Sequence, residues 1–154
     1  MESGAFIEKW LGITGGAERA NYQLFLTEFA QMLGVPTADP GQQGALGQYQ
    51  FDAPIPGGSF RSLKASGFAD LYKEGCFILE AKQSYLKESE SEPARPDGGS
   101  YDRLMRSAFA QAKHYAANIP GERPSPPFLI VCDIGRSFEL YFDWTGNEIG
   151  RAHV

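Results

Sequence analysis

At 154 residues, with 42% hydrophobic and 13% aromatic side chains, the chain can bury a sizeable core and fits one domain of roughly 100 to 200 residues. Its formal charge of -5, from 14 Lys and Arg against 19 Asp and Glu, argues against a strongly basic nucleic-acid module. The charge is unevenly spread: residues 61 to 123 hold ten basic and nine acidic side chains, whereas residues 1 to 60 hold two and six.

Cys76 and Cys132 each sit in an apolar run and read as small buried thiols, with no disulfide or zinc framework. The start MESGAFIEKW lacks a basic leader and an apolar h-region, and no stretch approaches the roughly 20 apolar residues of a membrane span. The expectation is a soluble, cytoplasmic protein without a membrane partner. The ending GNEIGRAHV carries no strong stop signal, so a piece of a longer chain is equally compatible.

From Ala17 to Leu33 apolar residues recur at Tyr22, Phe25, Leu26, Phe29 and Leu33, the spacing of a helix face, and Gly34 and Pro36 supply the stop. Glu18 lies four residues before Tyr22, near that stripe, whereas Glu28 is displaced from it. VPTADPGQQGALG is a loop, QYQFDAPI alternates as a strand, and PGGS is a turn. GFADLYK and CFILEAKQ, separated by Glu74 and Gly75, form a hairpin. SYLKESESEPARPDGGS, from Ser84 to Ser100, is expected to be a long mobile loop. A second helix follows, with Leu104, Ala108, Ala112, Tyr115 and Ala116 on one face, ending before Pro120. PFLIVCDIG is a strand covered on both sides, and SFELYFDW its alternating neighbour. Helix, three strands, helix and two strands predict an α/β fold: a mixed β-sheet flanked by α-helices, with residues 1 to 154 as a single domain.

Residues two apart share a strand face, so Glu80 and Lys82 point one way and Leu79 and Ala81 the other. The hairpin brings Asp70 close to both. Two facing carboxylates repel and shift each other's pKa. A hard divalent cation such as Mg²⁺, which prefers oxygen ligands and keeps several waters, relieves this. Lys82 could then orient a metal-activated water or offset charge on a pentavalent phosphate, making phosphodiester hydrolysis the natural use. The competing reading is an exposed salt bridge on a hairpin.

Asp70, Glu80 and Lys82 resemble, in type, order and spacing, the motif of the PD-(D/E)XK nuclease superfamily, although Ala69 stands where a proline usually precedes the Asp. FIEKW, ERANYQLFL, LGVP, DLYKEGCFILEAKQ, QAKHYA and PPFLIVCDIG together resemble the amino-terminal nuclease domain of fused type IIL/IIG restriction-modification enzymes. Members often carry Arg-Ile where Phe68-Ala69 stands here. The resemblance implies a restriction-endonuclease-like three-layer arrangement and a Mg²⁺-dependent type II restriction endonuclease, with Mn²⁺ as substitute. Asp70, Glu80 and Lys82 would be catalytic, and Asp70, Glu80 and Ala81 would contact the metal. The substrate would be double-stranded DNA, and a helical spacer, an adenine DNA methyltransferase domain and a target-recognition domain would follow on the parent chain. The alternative is a weak or inactive nuclease-fold domain that docks DNA for a methyltransferase.

The same resemblance suggests an acid on the first helix near the metal. Glu18 is the candidate, against its reading as a helix N-terminal acid favoured by the macrodipole. Gln83 would reach the site only where its strand ends or bulges, and Gln111 could touch DNA or serve the helix surface. His114 reads as a packing residue and His153 as part of a frayed end. SPPF, Ser125 to Phe128, matches the base-holding pattern of amino-methyltransferases. It precedes its strand and has no upstream Gly-rich cofactor loop, so no cofactor-binding residue is assigned and coincidence is the reading.

Overall fold

The computed structural model describes residues 1–13, 18–41, 44–57, 66–84, 100–142 and 150–153. Its elements are α1 (Ser3–Leu11), α2 (Glu18–Leu33), β1 (Tyr49–Pro56), β2 (Ser66–Lys73), β3 (Phe77–Lys82), α3 (Ser100–Ala117), β4 (Phe128–Asp133), β5 (Ser137–Phe142) and β6 (Gly150–His153). The strands form one sheet in the order β1-β2-β3-β4-β5-β6. Among the described strands β3 and β4 run parallel, because α3 carries the chain back between them, and the other neighbours are antiparallel. The result is an α/β fold with a restriction-endonuclease-like arrangement. Most of the expected loop from Ser84 to Ser100 lies outside the described residues. No described helix is long and apolar enough to cross a membrane.

The helices cover opposite faces of the sheet. On one, Phe6 and Trp10 of α1 and Tyr22, Phe25 and Leu26 of α2 pack on Leu71, Leu79, Ala81 and Cys132. Aromatic rings dominate: Trp10 meets Phe25 edge-on at 5.0 Å between centroids, and Phe29 stacks on Phe138 at 4.7 Å. On the other face α3 presents small residues. Ala112 and Ala116 pack with Tyr115 against Tyr72, Ile78 and Leu129, and Ala108 packs with Met105 against Val131.

Several expectations need correction. Helix α1 was not anticipated. In α2, Leu33 is 55% exposed and Ala30 takes the buried position, because Gly34 (φ 69°) ends the helix immediately behind Leu33 and the Val35 amide bonds the Ala30 carbonyl at 3.0 Å. Met105, not Leu104, is the buried residue at the start of the α3 face. Cys132 is fully buried as expected, but Cys76 lies in the β2–β3 turn and is only partly covered. His153 falls on a strand, in register with Glu139, rather than in a frayed end.

Side-chain alternation breaks at one rung. Phe51 and Leu71 are in register and both face α1 and α2; Ala53 and Ala69, the next described rung, both face α3. Residues two apart on a strand ordinarily share a face. The intervening Asp52 has φ 47°, the one positive value at a non-glycine among the described residues. It inverts the face of β1 opposite Asp70.

Candidate active site

The β2–β3 hairpin pairs in three rungs beyond its turn, Lys73 with Phe77, Tyr72 with Ile78 and Leu71 with Leu79. Continuing that register would set Asp70 against Glu80, but the backbones part there and side chains fill the gap. The Ala81 amide donates to Asp70 Oδ2 at 2.8 Å, and the Asp70 amide points at Glu80 Oε1 at 3.4 Å. Each strand thus finds its missing partner in the other strand's carboxylate. A strand residue's N–H and C=O point the same way, so the Ala81 carbonyl also faces this gap.

Glu80 has no exposed surface, and its Oε2 has no hydrogen-bond partner among the described residues. Burial pushes the Glu80 carboxyl well above its ordinary range, the nearby Asp70 charge pushes it further, and Lys82 opposes both. Asp70 is raised too, first by burial, against the pull of the Ala81 amide and of Lys82. Lys82 is half-buried and lies on the same strand face as Glu80, yet no ion pair within 4 Å joins it to either acid among the described residues.

The chain just past Lys82 is clamped. The Lys82 carbonyl accepts from the Ile134 amide at 2.8 Å, and Ser84 gives its amide (3.0 Å) and hydroxyl (2.7 Å) to the buried Asp133. Between them Gln83 is buried. Its amide donates to Glu18 Oε2 at 3.2 Å, its Oε1 accepts from Asn21 at 3.1 Å, and its Nε2 has no partner among the described residues. Strand β3 ends at Lys82, which lets Gln83 turn to the first turn of α2.

The structure therefore brings Asp70, Glu80, Ala81 and Lys82 together, with Glu18 and Gln83 beside them. Although Glu18 is an exposed residue, its charge acts on Asp70. Gln111 stands apart: its Nε2 donates to the Tyr115 hydroxyl at 3.4 Å and to neither acid. Tyr115, assigned from the sequence only to packing, has its hydroxyl raised first by burial, and the charges of Glu80 and Asp70 act on it in the same direction. Asn21, Asp52 and Asp133 were also missed. The sole signal for Asp52 was an aspartate inside an otherwise strand-forming run, a residue type depleted from strands but tolerant of left-handed backbone.

A hard cation could be shared by Asp70, Glu80 and the Ala81 carbonyl. Among the described residues no group of three or more His, Cys, Asp or Glu side chains converges as a cage, so water would complete such a shell. An apolar recess of about 300 Å³ between α2 and the sheet, lined by residues such as Leu26, Leu33 and Ile130, includes none of these acids.

No curated protein and no solved structure matches the chain. The family model described as the MmeI N-terminal domain matches residues 1–150. The chain accordingly belongs to the MmeI N-terminal domain family, the amino-terminal region of MmeI-like type IIL restriction-modification enzymes.

Proposed function

We propose that this chain is the DNA-cleaving part of its restriction-modification enzyme, a PD-(D/E)XK nuclease that hydrolyses phosphodiester bonds of double-stranded DNA with Mg²⁺, or with Mn²⁺ in its place. The observation that carries this reading is the Glu80 carboxylate, fully buried beside a second acid with one oxygen unpartnered. A buried charge in that state costs about 1–3 kcal/mol or more unless something neutralises it. A divalent cation does so in the proposed working state.

The chemistry a divalent cation would supply there is polarisation of a phosphate oxygen and a lowered pKa of a coordinated water. Asp70, Glu80 and the Ala81 carbonyl are the groups that would hold it. Lys82, a mobile point charge on the Glu80 face, orients the attacking water and offsets charge on the phosphate. Glu18 and Gln83 steady the end of β3. The chain's net charge of -5 leaves little intrinsic attraction for DNA phosphates, so sequence recognition is assigned to the methyltransferase and target-recognition parts of the parent protein.

The test is conversion of supercoiled plasmid to nicked and linear forms under Mg²⁺ or Mn²⁺ titration. Wild type should cleave, and Asp70→Ala and Glu80→Ala should each abolish cleavage while keeping the fold by circular dichroism. Wild-type rates in either variant would sink the assignment, as would a folded wild type that binds divalent ions and never cuts.

A further inference from the structure

Asp52 combines two features that the proposed chemistry does not use. Its backbone is left-handed at φ 47°, a sparsely populated conformation for a residue with a Cβ, and it occupies the rung of β1 opposite Asp70. Its carboxylate collects donors from one face of α2: Tyr22 Oη reaches Oδ1 at 2.6 Å, while Gln23 Nε2 at 3.0 Å and Arg19 Nη2 at 3.2 Å reach Oδ2. Positions 19, 22 and 23 are three and four apart, so all three donors project from the same side of the helix.

This is the polar end of the α2 stripe. Further along, Phe25, Leu26 and Ala30 hold the helix to the sheet by burial. In the first turn Glu18, Arg19 and Ala20 are exposed and supply no such burial. The buried Tyr22 ring packs on Phe51 at the next position, and the Asp52 carboxylate gathers Arg19, Tyr22 and Gln23 to β1, so Asp52 ties the start of α2 to the sheet beside the bonds that Glu18 and Asn21 of the same turn make to Gln83.

We infer that Asp52 is a positioning residue of the proposed nuclease site: by pinning the first turn of α2 it lets Glu18 and Asn21 hold Gln83, and thereby fixes Lys82 at the end of β3. The inference rests on the nuclease reading for its consequence in turnover, but the pinning is readable without it. In this role Asp52 acts through α2, by its bonds to Arg19, Tyr22 and Gln23.

Three variants separate carboxylate from backbone. Asp52→Asn keeps the shape and tolerates left-handed backbone but sets an amide against donors. Asp52→Gly keeps the conformation and removes the carboxylate. Tyr22→Phe deletes one donor. By amide hydrogen exchange, Asp52→Asn and Asp52→Gly should speed exchange at Gln83 by about tenfold or more, while the β4–β5 amides keep their wild-type rates, since only local opening is eased. In steady-state cleavage both variants should lose kcat by roughly ten- to a hundredfold at little change in KM, the scale of a small misplacement of a reacting group. Tyr22→Phe should lose less.

An unchanged Gln83 exchange rate in Asp52→Asn overturns the inference, and so does a uniform rise across the sheet, which would mark a general stabilising role. Wild-type turnover in Asp52→Gly also overturns it, by showing that only the backbone matters. If the wild-type protein itself cuts no DNA, the nuclease reading falls, and the Gln83 exchange rates alone decide whether Asp52 pins α2.

Discussion

In the β2–β3 hairpin the chain reverses through Glu74, Gly75 and Cys76; in the β4–β5 hairpin it reverses through Ile134, Gly135 and Arg136. Both turns centre on a left-handed glycine, φ 63° and 75°, and both close with a backbone bond, Cys76 to Lys73 at 3.0 Å and Arg136 to Asp133 at 2.9 Å. Three rungs follow in each. At the fourth, Ile130 and Leu140 pair and the ladder runs on to Phe128 and Phe142, whereas Asp70 and Glu80 do not pair and the strands separate. Two hairpins with the same turn thus diverge at one position. Turn geometry sets register, but the side chains at the fourth rung decide whether the ladder continues or opens into a polar notch.

The largest expected effect lies in the opened hairpin. Lys82→Ala should retain divalent binding by calorimetry and lose cleavage by roughly a hundredfold, the scale for removing a group that offsets transition-state charge. Loss of metal affinity together with activity would make Lys82 structural instead.

The notch itself can be probed by pH. The folded Glu80 carboxyl is raised above its unfolded value, so its contribution to stability is fully present below the ordinary carboxylate range, near about pH 4, and is lost as pH climbs through the raised value. Without divalent ions, Glu80→Gln should therefore be more stable than wild type at neutral pH, by roughly 1–3 kcal/mol in denaturant titrations. The gap should narrow as pH falls. A wild-type protein more stable than the variant at neutral pH would contradict the burial of an unpaired charge.

The shared turn offers a smaller contrast. Alanine at either glycine is strained by positive φ, at about 1 kcal/mol. At Gly135 a Cβ would also come within 2.8 Å of the Trp10 carbonyl, a backbone atom of α1, whereas at Gly75 it would meet the Pro124 ring at 3.2 Å. Gly135→Ala should thus be the worse by about 1 kcal/mol in thermal unfolding, a modest overpacking cost. Equal costs would mean that α1 moves aside freely. The smallest effect concerns the thiols. A disulfide reagent should modify Cys76, in the first turn, in the folded state and reach Cys132, buried on β4 with its thiol pushed up by burial, only on unfolding.

Long periodic segments were legible in the sequence. The α2 and α3 stripes, the β2–β3 hairpin and the adjacency of β4 and β5 followed from spacing, because those signals span several turns or a complete alternation. Helix α1 escaped because it buries only Phe6 and Trp10, starts without a side-chain cap and contains Gly4, leaving one i,i+4 pair as its entire pattern. Strand β6, Gly-Arg-Ala-His, is too short to alternate. The parts of the site that were missed depend on tertiary placement. Asp133 acts through Ser84, 49 positions away, and Asp52 through a helix 29 to 33 positions earlier. Reading β1 as regular alternation also hid the inversion, since a periodic template has no place for a single left-handed residue.

Ala108, Ala112 and Ala116 recur every fourth residue along the face that α3 lays over β3 and β4, and all are buried. Side chains that small let a helix backbone lie low on a sheet. Over Glu80 this has an electrical meaning. The helix takes the place of water on that sheet face, so it adds to the burial that, beside the charges of Asp70 and Lys82, sets the Glu80 carboxyl. Bulkier residues at these three positions would hold α3 further from the sheet, so the depth at which the acids lie depends on how thin that helix face is.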